Sequence, residues 1–540
     1  MRGAHRLTDV AATIIAGIVV VAAALLPDRL TRTDLGSFVA LPVEIGLGAA
    51  LLLVLPSRAR RPAAVVLGSG LAALTVLKIV DIGFYAALSR PFDLVLDWGL
   101  AAGAWQLLSA SLGFGIALLV TSGALLAVAA LALLIVWSVL RLTRLLDGHP
   151  SAAVPVVAGL AAFWLACATS GMVVAPPYPF ASHTSTSKII REVVGVRAGI
   201  QDERLFATEV AHDDFRGVPA DRLLRGLRGK QVVIVFVESY GRVALEQPTI
   251  AHEIAATLDS GDHQLAARGL QARSGYLTSS TTGGGSWLAH ATLLSGLWID
   301  NQRRYRSLMA SDRFTLTQAF QRSGWHTVGV MPGVTSAWPD GGFYHYDEIH
   351  DSYQLGYTGP AYGWSRLPDQ YTLAQVDRLS TASSQVSRMI VAPLVTSHAP
   401  WTPVPPVVDW DELGDGQAYG QSVGDAEPPE AILTRDPIRV RADYARSMAY
   451  SLDCVISYVT RQADEDLVLI MVGDHQPAPI VTGPDTNRDV PITIITGDQT
   501  VLARTDGWQW TPGLRPAPDA PVWRMDAFRD RFLSAYSHDS

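Results

Sequence analysis

The chain has 540 residues, a formal net charge of −8 and a mean hydropathy of +0.22, so it is long enough for more than one domain. This mild acidity leaves no basic footprint, and nucleic acid is excluded as an expected partner. Two cysteines, Cys167 in an apolar stretch and Cys454 far along the chain, exclude a disulfide framework.

Five apolar stretches come first, near Val10–Pro27, Phe38–Leu55, Ala63–Leu88, Leu112–Val139 and Ala152–Ala175. Each approaches the roughly 20 residues a membrane-spanning helix needs. The first resembles a signal peptide, but four further spans follow it, which argues against cleavage. Arg2 and Arg6 precede the first span, Arg58, Arg60 and Arg61 follow the second, and Arg141 and Arg144 follow the fourth. Positive charge collects on the cytoplasmic side, so the N-terminus is expected inside the cell membrane and the part after the fifth span outside. Lys78 and Asp81, three apart in the third span, are expected to pair on one helical face. The expected organisation is a transmembrane domain at 1–176, a juxtamembrane linker at 177–230 and an extracellular catalytic domain at 231–540.

Beyond the linker, short Val- and Ile-rich runs alternate with helical patterns. Strands are expected at Val232–Val237, Thr327–Met331, Met389–Val395, Leu467–Val472 and Pro491–Thr496. Helices are expected at Thr315–Ser323, Leu373–Val386 and Arg441–Gln462. Continuous apolar strands between helices imply a mainly parallel sheet covered on both faces. Ligands gather at the C-terminal strand ends of such sheets. One strand runs into Glu238, another into Asp474-His475, and a third into Thr396-Ser397-His398-Ala399-Pro400-Trp401. Two carboxylates and an imidazole, each at the end of a buried strand, suit a divalent cation.

The segment Thr278–Gly296, TSSTTGGGSWLAHATLLSG, supplies a candidate nucleophile. Its three glycines allow the backbone to approach a ligand, and Ser286 opens a helical run, Trp287–Leu294. A hydroxyl there sits beside the unpaired N–H groups that bind anions, and a metal can lower its pKa. Ser286 could equally be an ordinary N-cap. Thr281 and Thr282 compete with it as nucleophile.

Taken in order, these residues resemble the alkaline phosphatase/sulfatase superfamily across Gln231 to Thr496. The spacing from Ser286 to Ser295-Gly296 is similar to the sulfatase nucleophile motif. That motif, however, also has Pro or Ala where Leu288 stands and Arg where His290 stands, and neither cysteine lies in it. Lipoteichoic acid synthases are a closer likeness, with five spans, a strand-Glu-Ser opening, a Ser-His-x-Pro-Trp stretch and a late Gly-Asp-His. The resemblance implies that Glu238, Ser286, Asp474 and His475 bind one divalent ion, Mn²⁺ or Mg²⁺ ahead of Zn²⁺. It makes Ser286 the nucleophile and His398 the group that binds the phosphoryl or protonates the leaving group. Trp338 would lie in the substrate loop. That loop departs from the family, with Pro332 in place of His and Asp340 in place of a phosphate-binding Arg; His345, His350, Arg303 or Arg366 could substitute. Phosphoethanolamine transferases are a second relative, but they carry disulfides this chain cannot form.

The function so implied is transfer of a phospho-alcohol headgroup, phosphoglycerol or similar, through a phosphoserine-type intermediate. The donor would be a membrane phospholipid and the acceptor a glycolipid or cell-envelope polymer. The alternatives are a phosphodiesterase or phosphatase using water, and a non-catalytic membrane receptor.

Overall fold

The computed structural model describes residues 2–27, 41–88, 113–170, 201–362, 366–381, 386–420, 435–483 and 486–537, with isolated positions within 91–109 and 173–182. The chain divides into two units at the Asp202–Glu203 boundary.

The first unit is helical: α1 (Arg2–Leu25), α2 (Val43–Val54), α3 (Ser57–Leu88), α4 (Phe114–Gly148) and α5 (Pro150–Ser170). All but α2 are long and apolar enough to cross a membrane. With 12 residues, α2 rises only about 18 Å, short of the ~30 Å hydrocarbon layer. The expected second span started at Phe38, and residues 28–40 lie outside the described residues, so the unit holds four to five apolar helices. Their outward faces are apolar: Val54 is 85% exposed, Leu119 75% and Leu126 71%. Each such side chain forgoes about 1.5–3 kcal/mol of burial in water, a loss that hydrocarbon surroundings remove.

Ion pairs Arg60–Asp147 (2.7 Å) and Arg141–Asp9 (3.0 Å) gather the start of α1, the α2–α3 junction and the end of α4 at one end. These are three of the arginine-bearing regions expected to share a side. Lys78 Nζ donates to the Ala24 carbonyl at 3.0 Å, and Asp81 Oδ1 accepts from the Phe92 N–H at 3.0 Å. Both buried charged side chains thus reach backbone groups. Cys167 and Cys454 are free thiols, both buried.

The second unit is built on a nine-stranded sheet. In chain order its strands are β1 (Gln231–Val237), β2 (Gln271–Thr278), β3 (His326–Met331), β4 (Glu348–Asp351), β5 (Arg388–Leu394), β6 (Leu467–Gly473), β7 (Asp489–Thr496), β8 (Thr511–Pro512) and β9 (Val522–Arg524). The spatial order is β8-β2-β7-β6-β1-β5-β3-β4, with β9 beside β2. From β6 to β4 all neighbours are parallel, whereas β7 runs antiparallel to β6 and β2. All five expected strands form, within two residues of their expected starts. The Pro491–Thr496 run reverses direction, because an apolar strand reads alike whichever way it points.

Side-chain alternation divides the core between the two faces. Val233, Val235 and Val237 face one layer with Leu469 and Met471, under α6 (Pro248–Ala267), α10 (Asp369–Thr381) and α11 (Pro437–Gln462). Val232, Ile234 and Phe236 face the other with Val468 and Ile470, under α7 (Ser286–Ser295), α9 (Leu316–Arg322) and α12 (Ala527–Ser537). Between α7 and α9 lies α8 (Gln302–Met309). A capping box fixes the start of α9, with Thr315 and Gln318 bonding each other's backbone N–H.

Candidate active site

Register brings the first two candidate ligands together. In the parallel β1–β6 pair Val237 lies opposite Gly473, so the next residues, Glu238 and Asp474, leave adjacent strand ends side by side. The close approach needs glycine at 473, where a Cβ would overlap the Tyr240 carbonyl at 1.9 Å. After Glu238 the chain turns at Ser239, whose φ is +57°, and its N–H donates to Asp474 Oδ1 at 2.8 Å. The His475 N–H donates to the same oxygen at 2.7 Å. One edge of Asp474 is thereby held by two backbone donors.

Ser286 arrives from the opposite side. Its N-cap is Gly285, in the left-handed region at φ +81°, so Ser286 is the first residue of α7 rather than the cap. Its Oγ donates to Glu238 Oε2 at 2.9 Å and lies 3.1 Å from His475 Nε2. The competing hydroxyls are elsewhere: Thr281 donates to the Gly284 carbonyl within its own loop, and Thr282 makes no hydrogen bond with the quartet. The structure therefore brings Glu238, Ser286, Asp474 and His475 together. Donor atoms of Glu238, Asp474 and His475 all lie within 4.8 Å of one another.

Electrostatics favours a cation here. Burial pushes Glu238 up, but His475 and His398, with the Ser239 and Ser286 hydroxyls, outweigh it and hold this carboxylate below its usual range. Burial and then Glu238 push Asp474 up. Burial pulls His475 down, yet Asp474 and Glu238 overcome it and leave this imidazole raised. Two buried carboxylates this close are satisfied by sharing a proton or by a divalent ion. Three oxygens and one imidazole nitrogen form a donor set that Mn²⁺, Mg²⁺ or Zn²⁺ fits.

Other groups place the strand ends. Ser397 Oγ donates to the Glu238 carbonyl at 2.6 Å, joining the His398 loop to the ligand strand. His398 stands near enough to lower the pKa of Glu238, and its Nδ1 lies 2.7 Å from the Ala399 carbonyl. Buried Asp369 accepts the Val395 and Thr396 N–H groups at 2.8 and 2.9 Å and the Ser451 hydroxyl at 2.6 Å. Sequence reasoning missed Ser397 as a tie and Asp369 altogether, although an Asp opening a helix was visible.

The expected substrate residues are less concentrated. Arg303, Trp338 and His345 make no hydrogen bond or ion pair with the quartet among the described residues. Trp338 stacks on Tyr344 with ring centroids 5.9 Å apart, and His345 ends the same turn at φ +54°. Asp340 accepts from the Tyr305 hydroxyl at 3.0 Å, linking that turn to α8. His350 lies 3.2 Å from Glu348, which also holds His326 at 2.8 Å.

His290, which sequence reasoning noted only as a departure from the sulfatase motif, belongs to this region. It lies four residues after Ser286 on α7, hence on the same helical face. Its Nε2 is 3.8 Å from Asp474 Oδ2 and its ring lies against Phe236 at 4.1 Å. Burial holds this imidazole down to about 4, so it is neutral at ordinary pH.

Residues 230–489 match the sulfatase family model, so this part of the chain is a sulfatase-like domain. No curated protein matches the chain. Among solved structures, it is similar to the integral membrane lipooligosaccharide phosphoethanolamine transferase EptA from Neisseria meningitidis: 14% identity over 91% of this chain and 86% of that one, TM-score 0.47. It is similar to the lipoteichoic acid synthase LtaP from Listeria monocytogenes at 13% identity, over 51% of this chain and 67% of that one, TM-score 0.35. The phosphoglycerol transferase GacH from Streptococcus pyogenes is a third likeness, at 12% identity over 63% and 91%, TM-score 0.36.

Proposed function

We propose that this membrane-anchored, sulfatase-like enzyme is a metal-dependent phosphotransferase that moves a phospho-alcohol headgroup from a membrane phospholipid to a hydroxyl on a glycolipid or cell-envelope polymer. The observation that carries the reading is the placement of Ser286. Its hydroxyl opens a helix and hydrogen-bonds Glu238 and His475, in a cluster otherwise made of charged and imidazole groups.

Glu238, Asp474, His475 and Ser286 would hold one divalent ion, which supplies the charge that makes a serine alkoxide accessible near neutral pH. Ser286 Oγ gives up its proton, for which Glu238 Oε2 is the hydrogen-bonded acceptor. Oγ then attacks phosphorus; the P–O bond to diacylglycerol breaks, and that oxygen takes a proton for which His398 is the candidate donor. In the second step the acceptor's hydroxyl gives its proton to His398 and its oxygen attacks phosphorus, the bond to Ser286 breaks, and the serine oxygen regains its proton from Glu238. N–H groups at the start of α7 face the developing charge.

Four to five apolar helices tie the enzyme to its lipid donor, and tethering raises the effective concentration of the headgroup. The shared end of the arginine-bearing junctions supports a cytoplasmic N-terminus, and with five spans the catalytic unit lies outside the cell.

Incubation of the detergent-solubilised chain with Mn²⁺ and mixed phospholipids, followed by intact-mass measurement, tests this. A headgroup-sized mass is expected on the chain and absent from Ser286→Ala, and its value identifies the donor. Transfer to a supplied glycolipid separates a transferase from a hydrolase using the same residues. No adduct under any metal or lipid, with Ser286→Ala as active as the unsubstituted chain, would overturn the reading.

A further inference from the structure

We propose that His290 is a positioning residue for the metal site, its Nε2–H closing onto Asp474 Oδ2 when the cation binds. The inference rests on the metal-site reading above and concerns a residue outside the quartet.

Four observations converge on it. Helical spacing places His290 on the face of α7 that carries Ser286, so the imidazole and the hydroxyl are delivered by one rigid element. Phe236, the penultimate residue of β1 and thus close to Glu238, packs against the ring at 4.1 Å and 37°, which limits how the imidazole turns. Although the side chain keeps 20% exposure, its Nε2 is sealed from solvent and makes no hydrogen bond. A buried donor or acceptor left unmatched is costly, and such groups are few in folded proteins, so each calls for a physical role. Finally, the acceptor it faces is a single atom, Asp474 Oδ2, at 3.8 Å. That is beyond hydrogen-bond reach and within one small side-chain adjustment of it.

Geometry also separates this role from that of a ligand. The three donor groups that share a 4.8 Å circle are Glu238, Asp474 and His475, and His290 stands outside it. Asp474 Oδ1 is already held by the Ser239 and His475 N–H groups, so Oδ2 is the edge still to be fixed. A carboxylate ligand with both oxygens oriented holds a cation more tightly, and removal of such an outer partner lowers metal affinity by about 10–100-fold. Position 290 thus performs in this chain a task that needs an N–H pointed at Asp474, which Leu or Ala could not perform and a Gln amide could.

The test uses the full chain in detergent and Mn²⁺ as the probe. His290→Leu is expected to weaken Mn²⁺ binding about 10–100-fold, with the unfolding temperature in EDTA unchanged, and His290→Gln to stay within about threefold of the unsubstituted chain. Mn²⁺ binding by His290→Leu as tight as in the unsubstituted chain overturns the proposal, and so does a Gln variant as weak as the Leu variant. A measurement without substitution keeps it falsifiable should the variants fail to fold. With ¹⁵N-labelled histidine and Zn²⁺, the His290 Nε2 is expected to carry a slowly exchanging proton in the loaded chain; an unprotonated Nε2 there overturns it. Mn²⁺ binding that persists in Glu238→Gln would instead sink the metal-site reading itself, and this proposal with it.

Discussion

Replacement of Asp474 by Asn should stabilise the cation-free chain while abolishing its response to metal. Asn keeps an oxygen to accept the Ser239 and His475 N–H groups, at 2.8 and 2.7 Å in the parent. What it removes is a buried negative charge within 4.8 Å of Glu238. At an effective dielectric near 20, like charges at that distance repel by about 3 kcal/mol. On the same footing His475, 3.8 Å from Asp474 Oδ2, offsets this repulsion, so the gain comes from no longer burying a carboxylate charge, the first cause of its raised pKa, and is about 1–2 kcal/mol. For a unit of this size the gain corresponds to roughly 1–4 °C in unfolding temperature. Burial and Glu238 raise the folded pKa of Asp474 above its ordinary 3.8, so the folded state binds the extra proton. Stability from this group is therefore present at low pH and lost as pH rises through the folded value. The advantage of Asp474→Asn should accordingly be small near pH 4 and grow toward pH 8. Thermal unfolding in detergent with EDTA, at several pH values, measures this directly. Saturating Mn²⁺ at about 100 times its dissociation constant should then add about 2.7 kcal/mol to the parent and nothing to the variant. If Asp474→Asn unfolds below the parent in EDTA at pH 8, or keeps the full Mn²⁺ shift, the electrostatic account of this site is wrong.

Asp369→Ala strands a buried N–H at Val395 and a half-buried one at Thr396, and each costs about 1–3 kcal/mol. Chemical denaturation should show a loss of roughly 2–5 kcal/mol, with Asp369→Asn recovering most of it; equal losses would show that the oxygen acceptor is not what matters. Asp213 lies 3.2 Å from Arg313 and 2.9 Å from Arg529, side chains that are 3% and 0% exposed. Asp213→Ala takes the paired carboxylate from buried Arg313 and leaves Arg529 only Asp530, and should cost about 3–5 kcal/mol, read by the same denaturation curves, and a change below 1 kcal/mol would refute the pairing argument.

The parts of the site legible in sequence are those set by local pattern. Glu238 and Asp474 could be read because each follows an unbroken run of buried β-branched and apolar residues, and a parallel pair in register then makes them neighbours without further information. Strand β2 was not legible. Its centre is Ser274-Gly275, where Ser274 pairs with Thr493 at 2.8 Å and Gly275 leaves room for Trp510, so the apolar signal is interrupted by contacts from residues more than 200 positions away. Asp369 and Ser397 were hidden for the same reason, since their worth lies in partners on another strand or helix. His290 is the instructive failure. Its spacing from Ser286 was in plain view, yet a family motif with Arg at that place made it read as a defect. Distance and burial recast it: its Nε2 is sealed from solvent and lies 3.8 Å from Asp474 Oδ2, a relation that only the fold reveals. Asp340 is a case of the same kind: its worth lies in the Tyr305 hydroxyl it accepts from α8, a partner 35 residues away that no local pattern announces.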